Sequence, residues 1–152
     1  MSLALADELA QNTAALSMAL SSLIALGEEQ RRAAMEVNEA RLQAIFDERQ
    51  GLMRTLAALF HHRQQWCATV QQLPDATTEK AHLLARLTCD DMMLSEKAQL
   101  AQRLTQEAEM ALRSTVQGIG AQLQGQRRRE DVMRAYHPSP PPPRFVDRVN
   151  VL

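Results

Sequence analysis

Between Asn38 and Leu73 the apolar positions recur in sevens. One row runs Ile45, Leu52, Leu59, Trp66, Leu73 without exception, and beside it lies Phe46, Met53, Phe60, Cys67. A third row, Leu42, Leu56, Val70, is interrupted by Arg49 and Arg63. Three adjacent heptad rows cover well over a third of a helix circumference, wider than the seam of a two-stranded coiled coil. Such a helix expects neighbours on more than one side. The stretch therefore reads as the central helix of an antiparallel bundle.

Upstream, Leu9, Leu16 and Leu23 share one heptad row, with Leu5, Leu20 and Leu26 beside it, and predict an amphipathic helix over about residues 3–36. The pattern dissolves after Gly27. Asn38 followed by Glu39 is a helix start, a side-chain cap with an acid in the first turn. A break there is favoured, because one unbroken helix would run for about seventy residues, roughly 105 Å. Downstream, Leu73-Pro74-Asp75 stops the second helix, predicted over 38–73, and Asp75 or Thr77 can cap a third. So short a turn makes the second and third helices antiparallel neighbours.

The third helix, predicted over 76–134, carries Leu83, Leu87, Leu94, Ala101, Leu104 and Ala108, a row rich enough in alanine to let a partner approach closely. Gly118, Gly120 and Gly125 soften its far end, each costing a helix about 1 kcal/mol relative to alanine. Tyr136 then precedes a proline run, Pro138 and Pro140 to Pro143, which is extended by covalent constraint. Phe145, Val146, Val149, Val151 and Leu152 make the end of the chain apolar, suited either to packing back on the bundle or to tethered recognition of a partner. The predicted class is all-α: an antiparallel bundle of three long helices over residues 1–136, with an extended Pro-rich C-terminal tail over 137–152.

Composition agrees with long helices. Aromatic residues make up 3% of the 152 positions, and the net charge of −1 exerts no general pull on nucleic acid or anionic membrane. The N-terminus lacks a basic lead-in, and Ala10–Leu26 is too short and too polar to span a bilayer, so a cytoplasmic protein without membrane insertion is expected. Cys67 and Cys89 are expected as free buried thiols.

Chemistry is scarce. His61 and His62 lie about 100° apart on a helix and do not converge on one ion. Glu79-x-x-His82 is half of a di-iron motif with no second copy. Asp90-Asp91 reads as a solvated face, and Arg127-Arg128-Arg129 as a solvated helix end rather than a nucleic-acid patch. No nucleophile–base set, phosphate loop or zinc cluster is present in the sequence. The chain reads as a non-enzyme with no catalytic residue, cofactor or metal. Met92, Met93, Met110 and Met133 on the long helix suit an adaptable helix-binding surface.

The order of parts resembles the FlgN family of flagellar export chaperones. The features that carry the likeness are a leucine-spaced first helix ending in Glu28-Glu29-Gln30, an Asx-capped second helix, and a turn at Pro74. The second helix bears Leu42-Gln-Ala-Ile45, Asp47-Glu48-Arg49, Leu52-Met53 and Leu56, and after the turn a long third helix leads through a tyrosine into a tail. The likeness is best from Leu16 to Trp66. The chain departs from the family at Val37-Asn38, where a Gly-Asp step is common, at Lys97, where an asparagine is expected, and in the prolines after the tyrosine.

The resemblance implies a bacterial cytoplasmic chaperone of type III secretion. Its clients would be the C-terminal helices of the hook–filament junction proteins FlgK and FlgL, bound through its own C-terminal helix region. Client-binding candidates on that basis are Met110, Leu112, Val116, Ile119, Leu123 and Met133, and Tyr136 would dock on the cytoplasmic domain of the export gate FlhA. The alternatives are a FliT-type chaperone or a structural coiled-coil adaptor, a homodimer joined through an uncovered flank of the second helix.

Overall fold

The computed structural model describes residues 2–137, which form three helices: α1 (Ser2–Glu36), α2 (Glu39–Gln71) and α3 (Thr78–Tyr136). The fold is an all-α bundle, and the Pro-rich tail expected beyond lies outside the described residues. Two units are distinguished, Met1–Thr115 and Val116–Leu152, and α3 contributes to both.

The break between α1 and α2 is two residues long. Asn38 N–H donates to the Ala33 carbonyl (3.0 Å) and Val37 N–H to that of Ala34 (3.4 Å), the paired bonds of a Schellman helix end. That motif needs a left-handed residue at its first position outside the helix, and Val37 supplies it at φ 54°. Glycine takes this conformation freely, whereas a β-branched residue is strained in it. Val37→Gly is therefore expected to stabilise the chain by about 1 kcal/mol in urea denaturation. Asn38 then turns the chain into α2, its Oδ1 accepting from Arg41 N–H at 3.1 Å.

At the other end the turn is stapled by Lys80. Its ammonium donates to the carbonyls of Gln71 (2.9 Å) and Leu73 (3.1 Å) and pairs with Asp75, a cation on the exposed carbonyls of a helix C-terminus. The hydrogen bond from Lys80 lowers the Asp75 pKa. Whatever this pair adds to stability is present above the ordinary aspartate range and is lost as the pH falls through the lowered value.

The core runs the length of the first unit in three sections. Leu9 meets Val70, Leu83 and Leu87 near the turn. Leu16, Leu20 and Leu23 meet Leu56, Leu94 and Ala101 in the middle. Leu26 and Ala33 meet Ile45 at the far end. Both α1 and α2 reach every section, but α1 supplies eight buried apolar residues (Leu9, Leu16, Ala19, Leu20, Leu23, Leu26, Ala33 and Ala34) against three from α2, so α1, rather than α2, is the more deeply buried helix. Of the α2 rows, Ile45, Leu56 and Val70 are buried, but Phe46, Met53 and Phe60 are exposed. By length and composition α1 would also serve to cross a membrane. Here its leucines are the bundle core, and its buried polar residues Asn12 and Thr13 are hydrogen-bonded to the other two helices.

Polar side chains fix the register. The guanidinium of Arg63, an interruption of the apolar row, is buried at 5% exposure. Its Nη1 donates to Thr13 Oγ1 (2.8 Å) and Asn12 Oδ1 (3.5 Å), and its Nε to Asp91 Oδ1 (2.9 Å). Its Nη2 also lies 2.8 Å from that Asp91 oxygen, an ion-pair contact lacking the angle of a hydrogen bond. Thr13 donates in turn to Asp90 at 3.1 Å, and Asn12 Nδ2 to the Leu59 carbonyl at 3.0 Å. Arg49, the other interruption, donates to Gln30 and Thr105, while Lys97 donates to Ser17 (2.7 Å) and Ser21 (3.0 Å). Asp90 and Asp91, expected as a plain solvated pair, are thus partners of buried groups. Thr13 with Asp90 and Ser17 with Lys97 set α1 parallel to α3, with α2 antiparallel to both.

Candidate helix-docking surface

The residues singled out for binding fall in both units. In the first, Met110 is 70% exposed and Leu112 half-buried. In the second, Val116 (60%), Ile119, Leu123, Met133 and Tyr136 (79%) are all exposed. At about 100° per residue Val116, Ile119 and Leu123 fall within about 60° of arc and make one apolar strip. Leu112 belongs to the same heptad row as Ile119. Met110 does not: its position is about 160° from that of Leu112 across the helix, too far to serve one partner face. Met133 groups with Tyr136, its i+3 neighbour, and Tyr136 with Val132, its i−4 neighbour. The seven residues therefore divide into an aliphatic strip, a separate Met/Val/Tyr cluster, and an outlying Met110.

Between strip and cluster the helix turns polar through Gln126-Arg127-Arg128-Arg129-Glu130-Asp131. Gly118, Gly120 and Gly125 are all helical, and a methyl group added to any of them would meet nothing within 4 Å. No packing in the described residues calls for a glycine there. Gly27 is the opposite case, since a Cβ on it would come within 3.0 Å of Leu104 Cβ, where α1 and α3 press together. Alanine at Gly118 and Gly125 is expected to raise helix content and resistance to proteolysis beyond Thr115, by about 1 kcal/mol per site. Gly27→Val, by contrast, is expected to lower global stability by about 2 kcal/mol through overpacking. Hydrogen exchange for the first pair and urea melts for the second would read the two signs.

The remaining candidates stay apart. His61 and His62 are exposed, with ring centroids 6.4 Å apart, and His62 stacks on Trp66 at 5.9 Å. Among the described residues no three His, Cys, Asp or Glu side chains are grouped as a metal site would need. Both cysteines are free, but Cys67 is only half-buried and Cys89 is exposed, a correction to the expectation of two buried thiols. Desolvation raises the Cys67 pKa, with Asp91 adding to the shift and Arg63 opposing it, so the thiol stays neutral.

Sequence reasoning placed one surface wrongly. Phe46 (55%), Met53 (49%) and Phe60 (39%) were expected in the core, and instead all three are exposed, Met53 and Phe60 lining a groove between α2 and α3. The signal was present, for the neighbouring row at the same spacing is Gln43, Gln50, Ala57, Gln64 and Gln71, uncharged throughout. Comparison of the chain with protein-family models, curated proteins and solved structures gives no match in any of the three.

Proposed function

We propose that this chain is a cytoplasmic export chaperone of the FlgN type, a non-enzymatic binding protein. It would hold the C-terminal helices of hook–filament junction proteins and deliver them to the export gate. The observation that carries this reading is the aliphatic strip Val116, Ile119, Leu123, exposed on a helix whose glycines have open space beside them. A client's amphipathic helix would cover the strip and bring the second apolar stripe that it lacks. Glycines tolerated without any packing reason keep the segment easy to order and to release, which lowers net affinity for a cargo that must be handed on.

The departure from the family at Val37-Asn38 is compatible with this reading. Val37 holds the left-handed conformation natural to glycine, and Asn38 caps as aspartate would. Lys97, where asparagine was expected, still serves a polar role by bridging Ser17 and Ser21.

Calorimetry of the full chain with the C-terminal segments of FlgK and FlgL tests the proposal. Binding is expected, and Val116→Asp/Ile119→Asp/Leu123→Asp should weaken it at least 100-fold, equivalent to about 2.7 kcal/mol. Tyr136→Ala should spare the client and weaken binding to the cytoplasmic domain of FlhA. An unchanged client affinity in the triple variant would remove the strip from the mechanism.

A further inference from the structure

The first unit leaves an apolar groove of about 380 Å³ between α2 and α3, with Leu20 and Leu23 of α1 as its floor. Arg49, Met53, Ala57 and Phe60 form one wall, and Ala98, Gln102 and Thr105 the other, with the Arg49 guanidinium donating across to Thr105 Oγ1 at 2.8 Å. At the Phe60 end it meets a second hollow lined by Cys67, Gln71 and Asp91. A groove between two helices, floored by a third, is the seat of a fourth helix in a bundle.

Outside Arg49, the α2 edge of this groove is uncharged along its whole length. Over 29 residues its two rows hold Phe46, Met53, Phe60 and Cys67 in one, and in the other Gln43, Gln50, Ala57, Gln64 and Gln71. None carries charge at neutral pH. Elsewhere on the exposed surface of α2 the charged residues Glu39, Arg41, Asp47, Glu48 and Arg54 all fall in its first half. On the facing wall Ser95, Ala98, Gln102 and Thr105 are also uncharged, and Asp91 at the margin is engaged by Arg63.

We propose that this face is a homodimer interface, in which a second copy lays its α2 antiparallel into the groove about a two-fold axis near Ala57. Two features select a second copy over a foreign helix. An isologous contact sets each residue opposite its mirror position, so an edge that is to pair with itself must avoid like charges and read alike from both ends. The outer row does: Gln43, Gln50, Ala57, Gln64, Gln71 is the same in either direction about Ala57. Antiparallel pairing sets Gln50 opposite the partner's Gln64, amide to amide, and Ala57 at the axis admits close approach of the backbones. In the apolar row Met53 then meets the partner's Phe60, and Phe46 meets the partner's Cys67, a larger side chain beside a smaller one. The strip is about 43 Å long and about 10 Å wide. This inference does not depend on the chaperone reading, which concerns the second unit.

Sedimentation equilibrium of the full chain should show a reversible dimer dissociating in the micromolar range. Phe60→Glu should weaken it at least tenfold. Because Phe60 is partly buried, Gln50→Glu/Gln64→Glu gives a second test at exposed positions, placing carboxylates opposite each other and again weakening association at least tenfold. Gln50→Lys/Gln64→Glu should restore it, since lysine then faces glutamate only in the antiparallel arrangement. In a Cys67→Ser/Cys89→Ser background, Ala57→Cys should give a disulfide-linked dimer on mild oxidation, and Thr55→Cys, on the opposite flank of α2, should not. A monomer at every concentration overturns the proposal, as does a dimer indifferent to these charges or cross-linked equally well through position 55. A monomeric chain that loses client segments on Phe60→Glu would assign the groove to the client instead.

Discussion

Replacing Asp91 by alanine is expected to cost about 3 kcal/mol in urea denaturation, although the carboxylate removed is 59% exposed. The cost arises on the other partner. An arginine guanidinium is a permanent cation, and that of Arg63 is buried between α1 and α3 with Asp91 as its anionic partner. Taking Asp91 away leaves a buried cation with neutral acceptors alone, the side chains of Thr13 and Asn12. Losing one partner of a buried pair costs about 3–5 kcal/mol, and the lower end applies because water reaches the Asp91 side. Arg63→Ala should cost a similar amount, for a different reason: it opens a cavity in the row between Leu56 and Val70. The two are separated by Arg63→Met in the Asp91→Ala background. Methionine fills most of the volume without charge, while Asn12 still donates to Leu59 and Thr13 to Asp90. That double variant should lie within about 1 kcal/mol of the parent. A loss of under 1 kcal/mol for Asp91→Ala alone would mean that the guanidinium finds water, and the network would then contribute register rather than stability.

Helix ends were the most legible part of the chain, because the residues that make them act locally. Asn38 caps where an Asx side chain can reach an N–H of the first turn, and Pro74 cannot continue a helix. The helical class was legible for a related reason, since heptad rows state that a helix has apolar surface to bury. They do not state which neighbour buries it. The wide stripe of α2 suggested a helix enclosed on several sides, yet only part of that stripe enters the core, while Phe46 stays exposed and Met53 and Phe60 line a groove. Conversely α1 looked like an ordinary amphipathic helix. Part of what lets it sit between two neighbours is small, Ala19, Gly27, Ala33 and Ala34, and part is polar, Asn12 and Thr13. Small residues allow close approach without adding to a hydrophobic pattern, and buried polar groups subtract from it. Arg63 misleads in the same way: read along one helix it breaks a row, and only the pairing of three helices brings it to Asp91 and Thr13. The binding surface was legible as apolar residues on a softened helix. Its division into a strip, a cluster and an outlying Met110 follows from helix geometry alone and was open to the sequence.

The exchange of roles between α1 and α2 has a direct thermodynamic signature. Leu16→Ala is expected to lower stability by about 3–4 kcal/mol, and Phe46→Ala by less than about 1 kcal/mol, although phenylalanine loses more carbon. Leu16 is fully buried in the middle of the core, in one cluster with Leu20, Leu56, Leu94 and Ala101. Its truncation forfeits the transfer of about three carbons and leaves a void that three packed helices close only in part. Phe46 already has more than half its surface in water, so truncation surrenders little burial and opens no cavity. Urea midpoints measured at dilution, where self-association is absent, compare the two without a contribution from the α2 face. At high concentration the gap should narrow, because Phe46 then gains a partner and its loss begins to cost association as well. A Phe46→Ala penalty equal to that of Leu16→Ala at dilution would return α2 to the centre of the bundle and remove the groove on which the dimer depends.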